Sequence, residues 1–262
     1  MVLVISTTSR VILYILNTIF LLAGLFSAIF PVMTRFNGFN PQFFRFFKDI
    51  KQNNNREWFL ANKQRYDSDV IMPILDFIEA MAEPLEKISP NFLAVPKKHG
   101  GSMFRIYRDV RWAKDKRPYK ESAAIQFRHI NGRDAHAPGF YVHLEPDNIR
   151  FGGGIWTPPS AQIKMIRQSI ASDKAGWSAV RKNKKLNAMF EELRGDRLKR
   201  PPRGFDADHP HIEDMKLKSF FLMHAGTHKE AAGSDFIDDV VESFQAAAPL
   251  MRFLCRAVGA PY

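Results

Sequence analysis

The sequence predicts an α+β fold: a helical N-terminal part, a central and mainly antiparallel sheet, and helices packed on that sheet at the C-terminal side. Three observations predict it. Between Asn40 and Leu85 the apolar residues recur at helical spacing. After Pro96 and Gly100-Gly101 the period changes to two. Finally, Pro146-Asp147-Asn148 is a turn between two alternating segments, which is a hairpin connection and not a βαβ crossover.

Asn40-Pro41 opens the first helix with a cap and a proline at the first helical position, and Phe43, Phe44, Phe47 and Ile50 form its apolar stripe. Asn53-Asn54-Asn55 breaks it. A second helix follows with Asn54 as cap and Glu57 as the acidic half of a capping box. It buries Trp58, Phe59, Tyr66, Val70 and Ile71, and Pro73 either kinks it or starts a third helix running through Leu85. The predicted strands are the stretch beginning at Gly100, then Ala123–Ile130, Gly139–Glu145, Asn148–Gly152 and Lys218–His224, with Gly152-Gly153-Gly154 closing the hairpin. On the third, Phe140, Val142 and Leu144 face one way and Tyr141, His143 and Glu145 the other. A helix carrying Ile163, Ile166 and Ile170 comes next, with one or two helical pieces over Trp177–Leu193 and a Gly- and Pro-containing loop over Arg194–Pro210. Ser234–Ala248 is a closing amphipathic helix whose acidic start suits the helix dipole.

The chain has 262 residues, 45% hydrophobic with 23 Phe, which suits one globular domain over residues 33–262. Lone Cys255 forms no intramolecular disulfide and fits a reducing compartment. A net charge of +11 favours anionic partners: a small anionic molecule, a phosphate-bearing substrate or nucleic acid. Residues 1–32 form a hydrophobic N-terminal segment. Within it, Val11–Val32 is uncharged and, at about 22 residues, long enough to cross a bilayer. Two readings follow. Either translation starts at Met33 and the protein is cytoplasmic, or residues 11–32 anchor a cytoplasmic domain, with membrane contact confined to residues 1–32.

The most charged stretch is Gly100–Lys120, GGSMFRIYRDVRWAKDKRPYK, with seven cations against Asp109 and Asp115. Read as a strand, it places Phe104, Ile106, Val110 and Trp112 on one face and Arg105, Asp109 and Arg111 on the other. Such a face is either an ion-pair lattice or a prepared anion site. Arg105, Arg108 and Arg111 are candidate clamps for phosphate or carboxylate, because guanidinium grips both bidentately. Lys116 and Gly153 are further ligand-binding candidates, the latter because bare backbone N–H groups can cradle an anion. Asp109 or Asp115 as base and Tyr119 as hydroxyl donor are the catalytic candidates. No metal site is assigned: Asp206, Asp208, His209 and His211 lack a recognised ligand spacing. No cofactor fingerprint, G-x-S-x-G or H-E-x-x-H is present.

Arg105-x-x-Arg108-Asp109-x-Arg111-Trp112-x-x-Asp115-Lys116-x-x-Tyr119 resembles the signature of the DUF2461 family, RxxRDxRF followed by DK and Tyr, with Trp112 in place of the usual Phe. Asn54-Asn55-x-x-x-Trp58-Phe59 with Asn62-Lys63 and Tyr66, Gly152–Trp156, and Arg200–Phe205 resemble it too. The resemblance covers Phe36 to the C-terminus and implies one shared domain with a site at the motif. Three function classes stay open: an enzyme or receptor for an anionic ligand, a nucleic-acid-binding module, and a non-catalytic domain in which the motif is a structural ion-pair network. Seven cations facing two carboxylates favour the first, because buried charge is costly unless paired.

Overall fold

Asn40 begins the helical part as its chemistry requires, its side chain accepting from Phe43 N at the start of α1 (Pro41–Gln52). The computed structural model describes residues 36–132 and 136–262, so the hydrophobic segment 1–32 and the Met33 start lie outside the described residues. Every phenylalanine of α1 is buried, and Asn53 ends the helix. The cap of α2 (Arg56–Ala61) is Asn55 rather than Asn54. Asn54 is instead drawn into a long-range contact described below. A single helical turn then widens into a π-helical turn over Tyr66–Ile71 before α3 (Met72–Ala80), with Pro73 in its first turn. The wider turn meets the need of Pro73, which has no N–H to donate to a preceding carbonyl. Helix α4 (Ala82–Ile88) leads to β1 (Phe92–Leu93).

Strands β2 (Ala123–His129), β3 (Gly139–Glu145), β4 (Asn148–Ile155) and β5 (Phe220–Gly226) complete a five-stranded antiparallel sheet in sequential order. The α+β prediction therefore holds. Three local expectations do not. The triple glycine does not close the hairpin but runs inside β4, paired with β3 on one side and β5 on the other. Strand β5 begins two residues later than Lys218. The closing helix continues past Pro249 to Ala257. Leu250, Met251, Phe253 and Leu254 are buried beyond that proline, and their burial outweighs a break worth about 3 kcal/mol.

One face of the sheet carries Ile125, Phe127, Phe140, Val142, Leu144, Ile149, Phe151, Ile155 and Leu222, all buried. The long helix (Phe236–Ala257) lies on this face against β4. Phe140 stacks on Phe244 at 4.5 Å, and Phe151 meets Phe236 edge-on at 5.6 Å. The approach is close at Gly153, where a Cβ would stand 2.8 Å from the Phe140 ring and 3.1 Å from Met251 Sδ. Helices α5 (Ser160–Ser172), α6 (Lys174–Arg181) and α7 (Lys184–Met189) pack beside the long helix. Cys255 is a buried free thiol, pushed up to about 12 by burial, and behaves as a small apolar side chain. No helix among the described residues is long and apolar enough to cross a membrane.

Candidate functional site

The charged motif is not a regular strand. It forms a loose hairpin with its arms joined by Phe104 N–Ala124 O, Lys120 N–Ile106 O and Arg108 N–Pro118 O. Only isolated bridges, Met103–Ile125 and Tyr107–Tyr119, have ladder geometry. The expected alternation of faces fails accordingly: Ile106 is buried, whereas Trp112 is 94% exposed. Asp109 Oδ1 accepts from Arg111 N at 3.2 Å, and Asp115 Oδ1 from Arg117 N at 3.0 Å. These local side-chain bonds compete with strand pairing and curl the tip.

The same two aspartates pair with three of the motif's seven cations. Arg111 Nη2 lies 2.7 Å from Asp109 Oδ2, and Asp115 Oδ2 accepts from Arg108 at 2.8 Å and from Arg117 at 2.7 Å. Arg117 also pairs with Glu121, a third carboxylate that a count restricted to Asp109 and Asp115 leaves out. Lys116 Nζ donates to the Val110 and Arg111 carbonyls. Hydrogen bonding from Arg111 holds Asp109 down to about 2, and Arg117 holds Asp115 well below the usual carboxylate range. Both are far from the neutral value that suits a general base. Their folded-state values lie below the unfolded ones. Any stabilisation they give is therefore present above the ordinary carboxylate range, near pH 4, and for Asp109 is lost as the pH falls through about 2. Tyr119 is buried, stacked on Phe59 at 4.2 Å. Asn54 holds its backbone from both sides, accepting from Tyr119 N and donating to Tyr119 O and Glu121.

Arg105 and Arg111 are exposed and Arg108 is partly so. Arg105→Gln and Arg111→Gln are therefore expected to leave the urea midpoint essentially unchanged, since exposed pairs contribute little. A loss comparable to that of a core substitution would show that these guanidiniums bear on the fold.

The opposite face of the sheet is where side chains converge. A cavity of about 610 Å³ lies there, lined by Ala124, Gln126, Tyr141, His143, Arg150, Gly154, Phe221 and Met223, with Phe104, Lys120, Trp156 and Arg194 among its walls. The alternation along β3 and β4 produces it: Tyr141 and His143 point away from the core that Phe140 and Val142 enter, and Arg150 pairs across from His143. Three cations, Lys120, Arg150 and Arg194, line the cavity, and no carboxylate does among the described residues. Lys120 is depressed by burial and then by nearby Arg105, and its ammonium lies 5.3 Å from the Phe104 ring centre. Arg150 Nε donates to Asn148 at 2.7 Å. Arg194 Nη2 lies 3.5 Å from Glu191 Oε2, and its buried Nε has no partner among the described residues.

Tyr141, His143 and Glu145 stand in a row at alternate positions of β3. His143 Nε2 is 3.4 Å from Glu145 Oε2, and Nδ1 is 3.4 Å from the Tyr141 hydroxyl. A carboxylate only accepts, so it sets the proton on Nε2, and Nδ1 then accepts from Tyr141. Burial raises the Tyr141 hydroxyl and keeps it protonated. The single Tyr141 proton is thus given to His143, and it reaches a ligand in the cavity by turning away from Nδ1.

Of the residues proposed from sequence, Gly153 lines the cavity; Arg105, Arg108, Arg111, Lys116, Asp109, Asp115 and Tyr119 do not. The motif contributes its two ends, Phe104 and Lys120. Sequence reasoning missed Arg150, Arg194 and Trp156 as partners, although the polar parity of Tyr141, His143 and Glu145 was readable. The Asp206–His211 loop brings together no metal-ligating group of three or more among the described residues. Asp206 accepts from Asp208 N, and His211 Nε2 bonds Ser178 Oγ at 2.8 Å.

Fold and site define an α+β protein with a basic, aromatic-walled cavity on the face of an antiparallel sheet turned away from its helical core. The family model described as "Conserved hypothetical protein (DUF2461)" matches residues 42–253, and the chain belongs to that family. No curated protein and no solved structure matches the chain.

Proposed function

We propose that the protein binds a small phosphate- or carboxylate-bearing ligand in the sheet-face cavity, with Lys120 and Arg150 as the anion-binding groups at one end and Arg194 as a further cation at the other. The gathering of three cations in a partly enclosed cavity, with no carboxylate among the described lining residues, carries this reading. Like charges held together in a poorly solvated place repel one another, and an anion relieves that repulsion. The motif serves as a frame: Arg108, Arg111, Arg117 and Lys116 are engaged with Asp109, Asp115, Glu121 and backbone carbonyls, while its hairpin carries Phe104 and Lys120 to the cavity wall. Tyr141 adds a neutral donor to the same site when its single proton turns from His143 Nδ1 to the ligand.

Saturating inorganic phosphate should raise the melting temperature of the protein. A ligand at about 100 times its Kd adds about 2.7 kcal/mol, or roughly 5–10 °C for a domain of this size. Arg150→Gln should melt like the parent without phosphate and lose most of the gain with it. A parent that melts identically with and without phosphate, and with and without a series of small carboxylates, would overturn the proposal.

A further inference from the structure

We infer that the anion bound here is the phosphate of a nucleotide-like ligand: the phosphate lies at the Lys120–Arg150 end of the cavity, and a flat aromatic ring lies over the glycine backbone of β4 against Trp156. This deepens the reading just given and rests on it.

The register of the sheet carries the inference. On the cavity face β4 presents Asn148, Arg150, Gly152 and Gly154 in turn, and Trp156 follows beyond the end of the strand. Arg150 and its cross-strand neighbour His143 stand at one end, with Lys120 entering from the motif. From there to Gly154 the strand carries no side chain on this face. The surface is bare peptide, walled by Tyr141 on β3 and by Met223 and Phe221 on β5. Gly152 cannot be enlarged, because a Cβ there would stand 2.1 Å from the Leu222 carbonyl oxygen. The trough is thus kept open by the packing of β4 against β5.

At its far end Trp156 is 57% exposed, a large aromatic left at the mouth of a cavity. Its ring packs on Phe221 at 5.3 Å, and its carbonyl lies 3.1 Å from His136 Nδ1. Arg194, bridged to Phe221 through the backbone, presents donors at this end. Four residues of strand separate Arg150 from Gly154, about 13 Å at the usual rise. That is of the order of the distance from the phosphate to the far edge of the base in a nucleoside monophosphate. Peptide planes below and indole beside make a surface that takes any flat ring, so the geometry selects the class and not one particular base.

The test titrates the full-length protein with inorganic phosphate, ribose 5-phosphate and the 5′-monophosphates of adenosine, guanosine and uridine, following heat of binding and tryptophan fluorescence. At least one nucleoside monophosphate should bind on the order of tenfold or more tightly than ribose 5-phosphate and quench fluorescence. Trp156→Ala should remove that advantage while leaving phosphate and ribose 5-phosphate affinities unchanged, which also reports that the variant is folded. If ribose 5-phosphate binds as tightly as every nucleotide, the ring site is wrong and the anion site stands. If nucleotides win but Trp156→Ala binds them as well as the parent does, the placement of the ring at Trp156 is wrong. If none of the five ligands binds, the cavity takes no phosphate and this inference fails; the anion site fails as well if the small carboxylates leave the melting temperature unchanged.

Discussion

Phe140→Ala should cost about 3–5 kcal/mol of stability and lower the melting temperature by roughly 10 °C. Phe140 is fully buried at the centre of the sheet, stacked on Phe244 at 4.5 Å and edge-on to Phe92 at 4.9 Å. It faces Gly153 across the strand pair, so no neighbouring side chain on β4 can move in to fill the space. The adjacent residue is the control. Tyr141 follows Phe140 directly and points to the other face, into the cavity. Tyr141→Phe should change stability little while weakening phosphate-dependent stabilisation. Urea melts with and without phosphate separate the two roles. A small loss in Phe140→Ala, or equal losses in both variants, would contradict the division of the sheet into a core face and a ligand face.

Trp177→Ala should be of similar size, about 3–5 kcal/mol, for a compound reason. The ring is fully buried on α6, packed on Phe253 at 4.8 Å, and its Nε1 donates to buried Asp214 at 2.8 Å. Alanine leaves a cavity and also removes one of the two partners of that carboxylate, the other being Arg181 at 3.3 Å. A buried acceptor left short costs more than the bond itself contributed. Combining the change with Asp214→Asn should therefore lose less than the sum of the two single losses. Strict additivity in a double-mutant cycle would show that the carboxylate does not depend on the indole.

The sequence by itself determined the class of the fold and much of its local detail. Asn40-Pro41 is an unambiguous helix start because cap and fixed φ act within one turn. The alternation of Gly139–Glu145 and the turn at Pro146–Asn148 specify a hairpin because strand parity and turn chemistry are local. Helical spacing likewise placed Phe43, Phe44 and Phe47 of α1 in the core, although Phe46, off that stripe, is buried as well. What failed depended on competition between local and distant partners. Asn54 is a good cap, but Tyr119 lies 65 positions away and presents a backbone N–H and C=O that no other group serves among the described residues, so Asn55 caps the helix instead. Pro249 is a helix breaker in isolation, yet the long helix passes through it because the residues beyond it find a sheet to cover. The triple glycine is a turn signal in a list of residues. Inside the fold it is a stretch of strand that a helix, a neighbouring strand and an open cavity can all approach closely.

The site shows the same division most sharply. Its charge was visible in the motif, but Asp109, Asp115 and Glu121 meet the guanidiniums of Arg108, Arg111 and Arg117 locally. The cations that line the cavity, Lys120, Arg150 and Arg194, come from a hairpin arm, a central strand and a loop, and no sequence spacing relates them. Parity could say that Tyr141 and His143 face away from Phe140. Only the tertiary structure decided what lies above that face, because the β-sheet register and the loops crossing its edge bring together residues that have no short-range reason to meet.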